Sequence, residues 1–226
     1  MKKLIVLLML CFSFLSFSQN FNSSKFVKET GTMLYFNPVS VSSGFGVFGF
    51  NLSVSAGIVD ISQSTWNSAI PSLDNTITFT EVSLRKGLTD DLAVGITLRD
   101  YSDINSNSWG ISANYRLIHG NALFPSVVAR VTYSNLTGNS YMDAYSYSAG
   151  LFASKGILFF TPYGGVSYLK SHVKYKGDLL PHFSNSESQV LIMGGVRMSL
   201  LPVLNLNAQV VKGEATVYRI NASVKF

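Results

Sequence analysis

From about residue 45 onward the chain alternates apolar with polar or small side chains, with a period of two residues. Near its end, Thr216, Tyr218, Ile220, Ala222, Val224 and Phe226 interleave with Arg219, Asn221, Ser223 and Lys225. On a helix these apolar residues would scatter around the circumference, whereas on a strand they share one face. Leu92, Val94, Ile96 and Leu98 oppose Thr97 and Arg99 in the same way, and Trp109, Ile111, Ala113, Tyr115 and Leu117 oppose Ser112, Asn114 and Arg116. Ala129, Val131 and Tyr133 face away from Arg130 and Thr132. Val190, Ile192, Val196 and Met198 oppose Gln189, Arg197 and Ser199, and Leu204, Leu206, Ala208 and Val210 oppose Asn205, Asn207 and Gln209.

Segments of this kind predict ten strands, near residues 45–60, 76–86, 91–101, 107–117, 126–136, 141–155, 157–174, 188–200, 203–211 and 215–226. Most reach the ~9–11 residues that cross a bilayer at a tilt. Residues 87–90, 118–125, 155–156 and 201–202 form short or compact connections, while 61–75 and 176–187 are long and polar. This alternation describes an all-β, antiparallel transmembrane β-barrel with short periplasmic turns and longer extracellular loops. A soluble sandwich also alternates, but it calls for shorter strands and a more charged outer face. Two segments strain the pattern. Pro162, followed by Gly164 and Gly165, predicts a bulge within 157–174, because proline cannot donate to a ladder. Ile77 and Phe79 fall on the face of Glu81 rather than with Val82 and Leu84. Eight or twelve strands also fit.

Composition supports a membrane setting. Of the 226 residues 47% are hydrophobic and only 13% charged, about half the charge of an ordinary soluble domain. The N-terminus reads as a signal peptide over residues 1–18: Lys2 and Lys3, an apolar run from Leu4 to Leu15, then Ser16 and Ser18 before a cut after Ser18. Cys11, the sole cysteine, lies in this leader, and Leu10 before it is too large for a lipoprotein signal. The exported chain therefore has no disulfide framework and no thiolate. Without Lys2 and Lys3 the net charge of +5 falls to +3, too mild for a nucleic-acid partner. Residues 19–43 come next and 44–226 form the barrel. In 19–43, Ser23 or Ser24 could cap a short helix presenting Phe26, Val27, Thr30, Met33 and Leu34, weakened by Gly31. It serves either as a periplasmic lead-in or as a lumen plug.

The end of the chain carries a resemblance. Tyr218, Ile220, Val224 and the terminal Phe226 are similar to the C-terminal targeting strand of small Gram-negative outer-membrane β-barrel proteins. That resemblance implies a bacterial outer-membrane location and recognition of the last aromatic by the barrel-assembly machinery. Ala153-Ser154-Lys155-Gly156 with Thr161 to Val166 also resembles a turn and strand of uncharacterised barrels of this class, which brings no activity with it.

Ten strands ~4.8 Å apart and tilted ~40° enclose a cylinder roughly 20 Å across, which inward side chains largely fill. If the apolar stripe faces lipid, Glu81, Arg85, Arg99, Arg116, Arg130, Arg197, Arg219 and Lys225 line the lumen. Strand direction puts Arg85, Arg116, Arg130, Arg197 and Lys225 in the periplasmic half, with Glu81 as the clearest lumen acid. Long-stemmed arginines can plug such a bore by hydrogen bonding to Ser, Asn and backbone groups, or they can attract small anions. Catalysis lacks support: no serine or aspartate is spaced along a strand to meet His119, His172 or His182, and no metal or cofactor motif stands out. The expected role is structural, adhesive or that of a narrow pore. The alternative is a transporter of hydrophobic or small anionic ligands gated by residues 19–43, and an outer-membrane hydrolase ranks last.

Overall fold

A computed structural model describes residues 21–36, 49–121 and 123–226. The signal-peptide expectation for residues 1–18, and the stretch 37–48 where the first strand was expected to begin, lie outside the described residues. Ten strands follow one another: β1 (Phe50–Asp60), β2 (Thr76–Gly87), β3 (Leu92–Tyr101), β4 (Ser106–Ile118) and β5 (Ser126–Thr137). The second half comprises β6 (Met142–Ser154), β7 (Phe160–Tyr175), β8 (Phe183–Ser199), β9 (Leu204–Lys212) and β10 (Thr216–Lys225). Each pairs antiparallel with its neighbours in sequence, and β1 closes onto β10 from Asn51↔Lys225 to Asp60↔Thr216. The fold is a closed ten-stranded antiparallel barrel. At the seam, Phe50 N–H donates to Phe226 O and Phe226 N–H donates to Phe50 O. Closure therefore extends to the final residue and leaves no unpaired edge.

Residues 61–75, 102–105, 138–141, 176–182 and 213–215 connect strands at the end that holds the longest connection, here called the loop end. The other end, the turn end, carries 88–91, 119–125, 155–159 and 200–203. Three details differ from the sequence expectations. No bulge occurs at Pro162, because β7 runs in continuous register with both β6 and β8. Pro162 lies near the turn end of β7, two residues after Phe160, the first residue of the strand to pair. Register shifts instead in β4, between Arg116 and Ile118. β8 starts at Phe183 rather than near 188, which shortens that loop to residues 176–182. Its first residues are polar on both faces because β7 and β8 continue past the lipid-facing belt, where no apolar stripe is required.

The interior has two zones. Outward positions such as Leu52, Val54, Leu98, Ile111, Val131, Leu151, Val190, Ile192 and Ile220 are exposed and apolar, as a lipid-facing wall requires. Inward positions near the turn end are polar, including Asn51, Ser53, Ser83, Arg85, Asn114, Arg130, Asn207 and Asn221. Toward the loop end the inward positions turn apolar: Val59, Ile77, Phe79, Tyr101, Met142, Leu169, Val173, Leu191, Val211 and Val217 form one buried cluster. This accounts for the irregular pattern of β2. Ile77 and Phe79 share the face of Glu81 because that face points into an apolar core.

A helix fills that core. α1 (Ser23–Leu34) packs against the inner faces of β6, β7 and β8 and reaches β5 and β10. Asn22, not Ser23 or Ser24, caps it, its side chain accepting from Lys25 N–H at 3.0 Å. The expected face of Phe26, Val27, Thr30, Met33 and Leu34 has no exposed surface. Glu29, Gly31 and Thr32 are buried as well, since the barrel surrounds the helix instead of meeting one side of it. Burying side chains such as Phe26 and Leu34 stabilises the docked helix by about 1.5–3 kcal/mol apiece. Gly31 is where the helix meets β7 most closely: a Cβ there would lie 2.5 Å from Ser171 Oγ. The residue that weakens the helix locally is the one that lets it dock.

The connection 61–75 bends inward rather than standing away from the barrel. It contains α2 (Gln63–Asn67) and buries Trp66, Ala69, Ile70 and Leu73 over the end of α1. Phe26 and Trp66 meet with ring centroids 4.8 Å apart.

Candidate functional site inside the barrel

Two charged side chains hold α1 in place, one at its middle and one at its C-terminal end. Glu29 accepts from Trp66 Nε1–H at 2.7 Å and from Ser62 N–H at 3.1 Å, tying the helix to the folded-in loop. Burial pushes the Glu29 carboxyl above the usual range, and this outweighs those two hydrogen bonds and the nearby Lys25, which act the other way. At the inner end Arg99 donates to Met33 O at 2.5 Å and Tyr101 Oη–H donates to the same carbonyl at 2.8 Å. A guanidinium at the carbonyl end of a helix also suits the helix dipole. Arg99 is itself fixed by Glu81, through Nε at 3.0 Å and Nη2 at 2.6 Å, with its plane over Phe79 and Phe36. Along the helix, Ser171 Oγ–H also donates to Val27 O and Gln189 Nε2–H to Lys28 O and Thr32 Oγ1, and just past its end the hydroxyls of Tyr35 and Ser167 lie 2.8 Å apart.

The expected lumen residues separate into three groups. Glu81, Arg99 and Arg219 meet in mid-barrel, where one carboxylate lies 2.6 Å from Arg99 and 3.4 Å from Arg219. Arg85 and Arg130 are buried in the turn half, Arg85 donating to Asn51 at 2.7 Å and Arg130 through Nε to Asn114. Among the described residues, both terminal nitrogens of Arg130 lack a hydrogen-bond partner, as do Tyr163 Oη and the side-chain amide of Gln209. Phe152 packs against the Arg130 guanidinium at 4.6 Å. Arg197, Arg116 and Lys225 are only partly buried and lie toward the turn rim, Arg116 near Asp91 at 3.9 Å. The basic residues thus do not converge on one point.

Contributors to the helix docking that were not singled out from sequence include Glu29, Trp66, Tyr101 and Gln189. Glu29 carried a signal, being one acid spaced three residues after Phe26 and four before Met33 on an apolar helical face. Trp66, Tyr101 and Gln189 carried none, because their role depends on register.

The expectation from spacing along a strand does not cover contacts between strands, and these do bring serines and an acid to histidines. Across strands, the Oγ atoms of Ser186 and Ser184 lie 2.8 Å from His172 Nδ1 and 3.2 Å from His172 Nε2. At the turn end, His119 Nε2 lies 2.9 Å from Asp91. Spacing along a single strand finds only same-strand neighbours, whereas these partners come from β8 and from the β2–β3 turn. Serine hydroxyls occupy both nitrogens of His172, so no carboxylate orients the ring as a hydrolytic triad requires.

Neither a protein-family model nor a curated protein matches the sequence. Among solved structures, similar chains include Ail of Yersinia pestis, at 11% identity and TM-score 0.39 over 79% of this chain and 98% of that one. Neisserial surface protein A is 14% identical with TM-score 0.41, covering 78% and 97%. The translocator domain of the autotransporter NalP from Neisseria meningitidis is 12% identical with TM-score 0.46, covering 90% and 92%. Overlaps this loose describe a shared architecture only. By its own closed sheet and apolar outer wall, the chain is a small ten-stranded β-barrel of the Gram-negative outer-membrane type.

Proposed function

We propose that this chain is an outer-membrane barrel kept closed by its own N-terminal helix, with a structural or adhesive role at the cell surface rather than that of an open pore. The observation that supports this is the sealed loop half of the lumen: Phe26, Val27, Met33 and Leu34 of α1 have no exposed surface. In this reading the leader is cut after Ser18, and the turn end faces the periplasm. Tyr218, Ile220, Val224 and Phe226 present the C-terminal strand to the barrel-assembly machinery. Outer-membrane lipid is the surrounding partner. The start of α1 packs near Phe183 at the loop end and its last residues near Arg99 in mid-barrel, while β1 begins at the turn end. In this orientation Phe21 lies at the extracellular mouth.

Planar-bilayer recording tests the closed state. The mature protein is expected to give no steady conductance, and a variant lacking residues 19–36 to give discrete steps. Equal conductance from both, with heat-modifiable migration confirming that both are folded, would overturn the plug. A second reading has its own support in the terminal nitrogens of the buried Arg130, which have no hydrogen-bond partner among the described residues. In it the turn half is a vestibule for small carboxylates or phosphates, with Arg85, Arg116, Arg197 and Lys225 attracting them. If so, current through the helix-deleted variant is anion-selective, and Arg130→Gln reduces that selectivity.

A further inference from the structure

The outer face of β6, β7 and β8 changes character abruptly toward the loop end. Register aligns Leu151, Val166 and Ile192 in one row across the three strands, then Ala149, Tyr168 and Val190, all suited to lipid. The next row is Tyr147, Lys170 and Ser188, followed by Tyr145, His172 and Ser186, and then Asp143, Lys174 and Ser184. A cation or imidazole thus stands between a serine hydroxyl and, in two rows of three, a tyrosine, immediately above the apolar wall.

Rings mark this level as the membrane interface. On the outer face Trp109, Tyr133, Tyr145 and His172 follow one another across four strands, with centroid separations of 5.7, 6.4 and 5.0 Å. Aromatic girdles of this kind lie at headgroup depth in outer-membrane barrels. Charge is segregated around the same rim. The outward side of β1 and β3 ends in Asp60 and Asp100, while β7 carries Lys170 and Lys174. Asp143, opposite Lys174 in register, is held by Lys176 at 2.7 Å. Among the described residues, neither Lys170 nor Lys174 has an ion-pair partner. Ser184 and Ser186 already hold the His172 ring, and Tyr168 Oη–H donates to Ser188 Oγ at 2.8 Å, so the hydroxyls are fixed in place.

We propose that this face of β6–β8 binds the phosphate groups of phosphorylated lipids in the outer leaflet. Ammonium groups supply the charge, hydroxyls supply hydrogen bonds to phosphate oxygens, and the apolar rows below receive the acyl chains. The leaflet assignment rests on the orientation proposed above; the binding chemistry does not.

Native mass spectrometry of the purified barrel in mild detergent tests this, using bisphosphorylated lipid A, the same lipid stripped of phosphate, and inorganic phosphate as probes. The Lys170→Gln/Lys174→Gln double variant is expected to bind bisphosphorylated lipid A roughly thirtyfold more weakly, the loss expected for two lysines near a charged surface. Lys86→Gln, at the turn end, should leave binding unchanged. Heat-modifiable migration of each variant confirms that it is folded. Equal binding by wild type and the double variant, or equal affinity for the stripped lipid, overturns the proposal. Displacement of the lipid by millimolar inorganic phosphate overturns it in favour of a free-phosphate site. Since the measurement is made in detergent, an inverted barrel would leave binding intact and only move the site to the other leaflet.

Discussion

Single residues decide whether a helix can live inside so narrow a barrel. Gly31 lets α1 approach β7, and Gly110 leaves room for the ring of Phe36, which a Cβ at 110 would strike. Glu29 is the unusual choice, a buried carboxyl whose charged neighbour is Lys25. Its proton affinity in the folded protein exceeds the ordinary value of 4.5. The folded state therefore gains from protonation: the contribution is full below about 4.5 and is lost as pH rises through the elevated value. Glu29→Gln removes the titration and keeps an acceptor for Trp66 or Ser62. Thermal unfolding in detergent from pH 8 to pH 4 should show wild type gaining stability relative to this variant on acidification. A difference that stays flat, or that shrinks toward low pH, would contradict the assignment.

At the scale of elements, orientation is the testable quantity. The loop 176–182 keeps Lys176, Asp178, Leu179, Pro181 and His182 exposed, whereas 61–75 is folded over α1 with Trp66 buried. Protease added to whole cells is therefore expected to nick 176–182 and to spare 61–75, although sequence length and polarity make the two loops look alike. Loop exposure, not loop length, governs cleavage. An epitope inserted beside Leu180 should bind antibody on intact cells, and one beside Thr89 only after the outer membrane is broken. Labelling at Thr89 alone would invert the barrel. A tag joined just before Phe21 should behave like the one at Leu180, because α1 begins at the loop end.

As a whole, the molecule is a closed sheet, with every strand paired on both sides and Phe226 in the seam. Such a barrel resists detergent until heated, so boiled and unboiled samples should migrate differently on a gel. Identical migration would argue against closure. Phe226 is also 73% exposed, which leaves its ring free for a partner while its backbone closes the seam. Deleting Phe226 should lower the amount of assembled barrel at the outer membrane and leave export across the inner membrane intact.

Strand number, the lipid-facing stripe and the inward position of Glu81, Arg85, Arg99, Arg130 and Arg219 were legible in the sequence, because a period of two is a local property of the backbone. So was the apolar face of α1, since its period is local too. What the chain alone left open is everything set by neighbours distant in sequence. Whether α1 lies beneath the barrel or inside it depends on the apolar loop half, which is assembled from inward residues of many strands. Ile77 and Phe79 registered only as a break in the pattern of β2. The partners of His172 come from β8, the lock on Glu29 from Trp66, and the pairing of Glu81 with both Arg99 and Arg219 from β3 and β10. Periodicity tells each residue which way to face. Only closure of the sheet decides what it meets there.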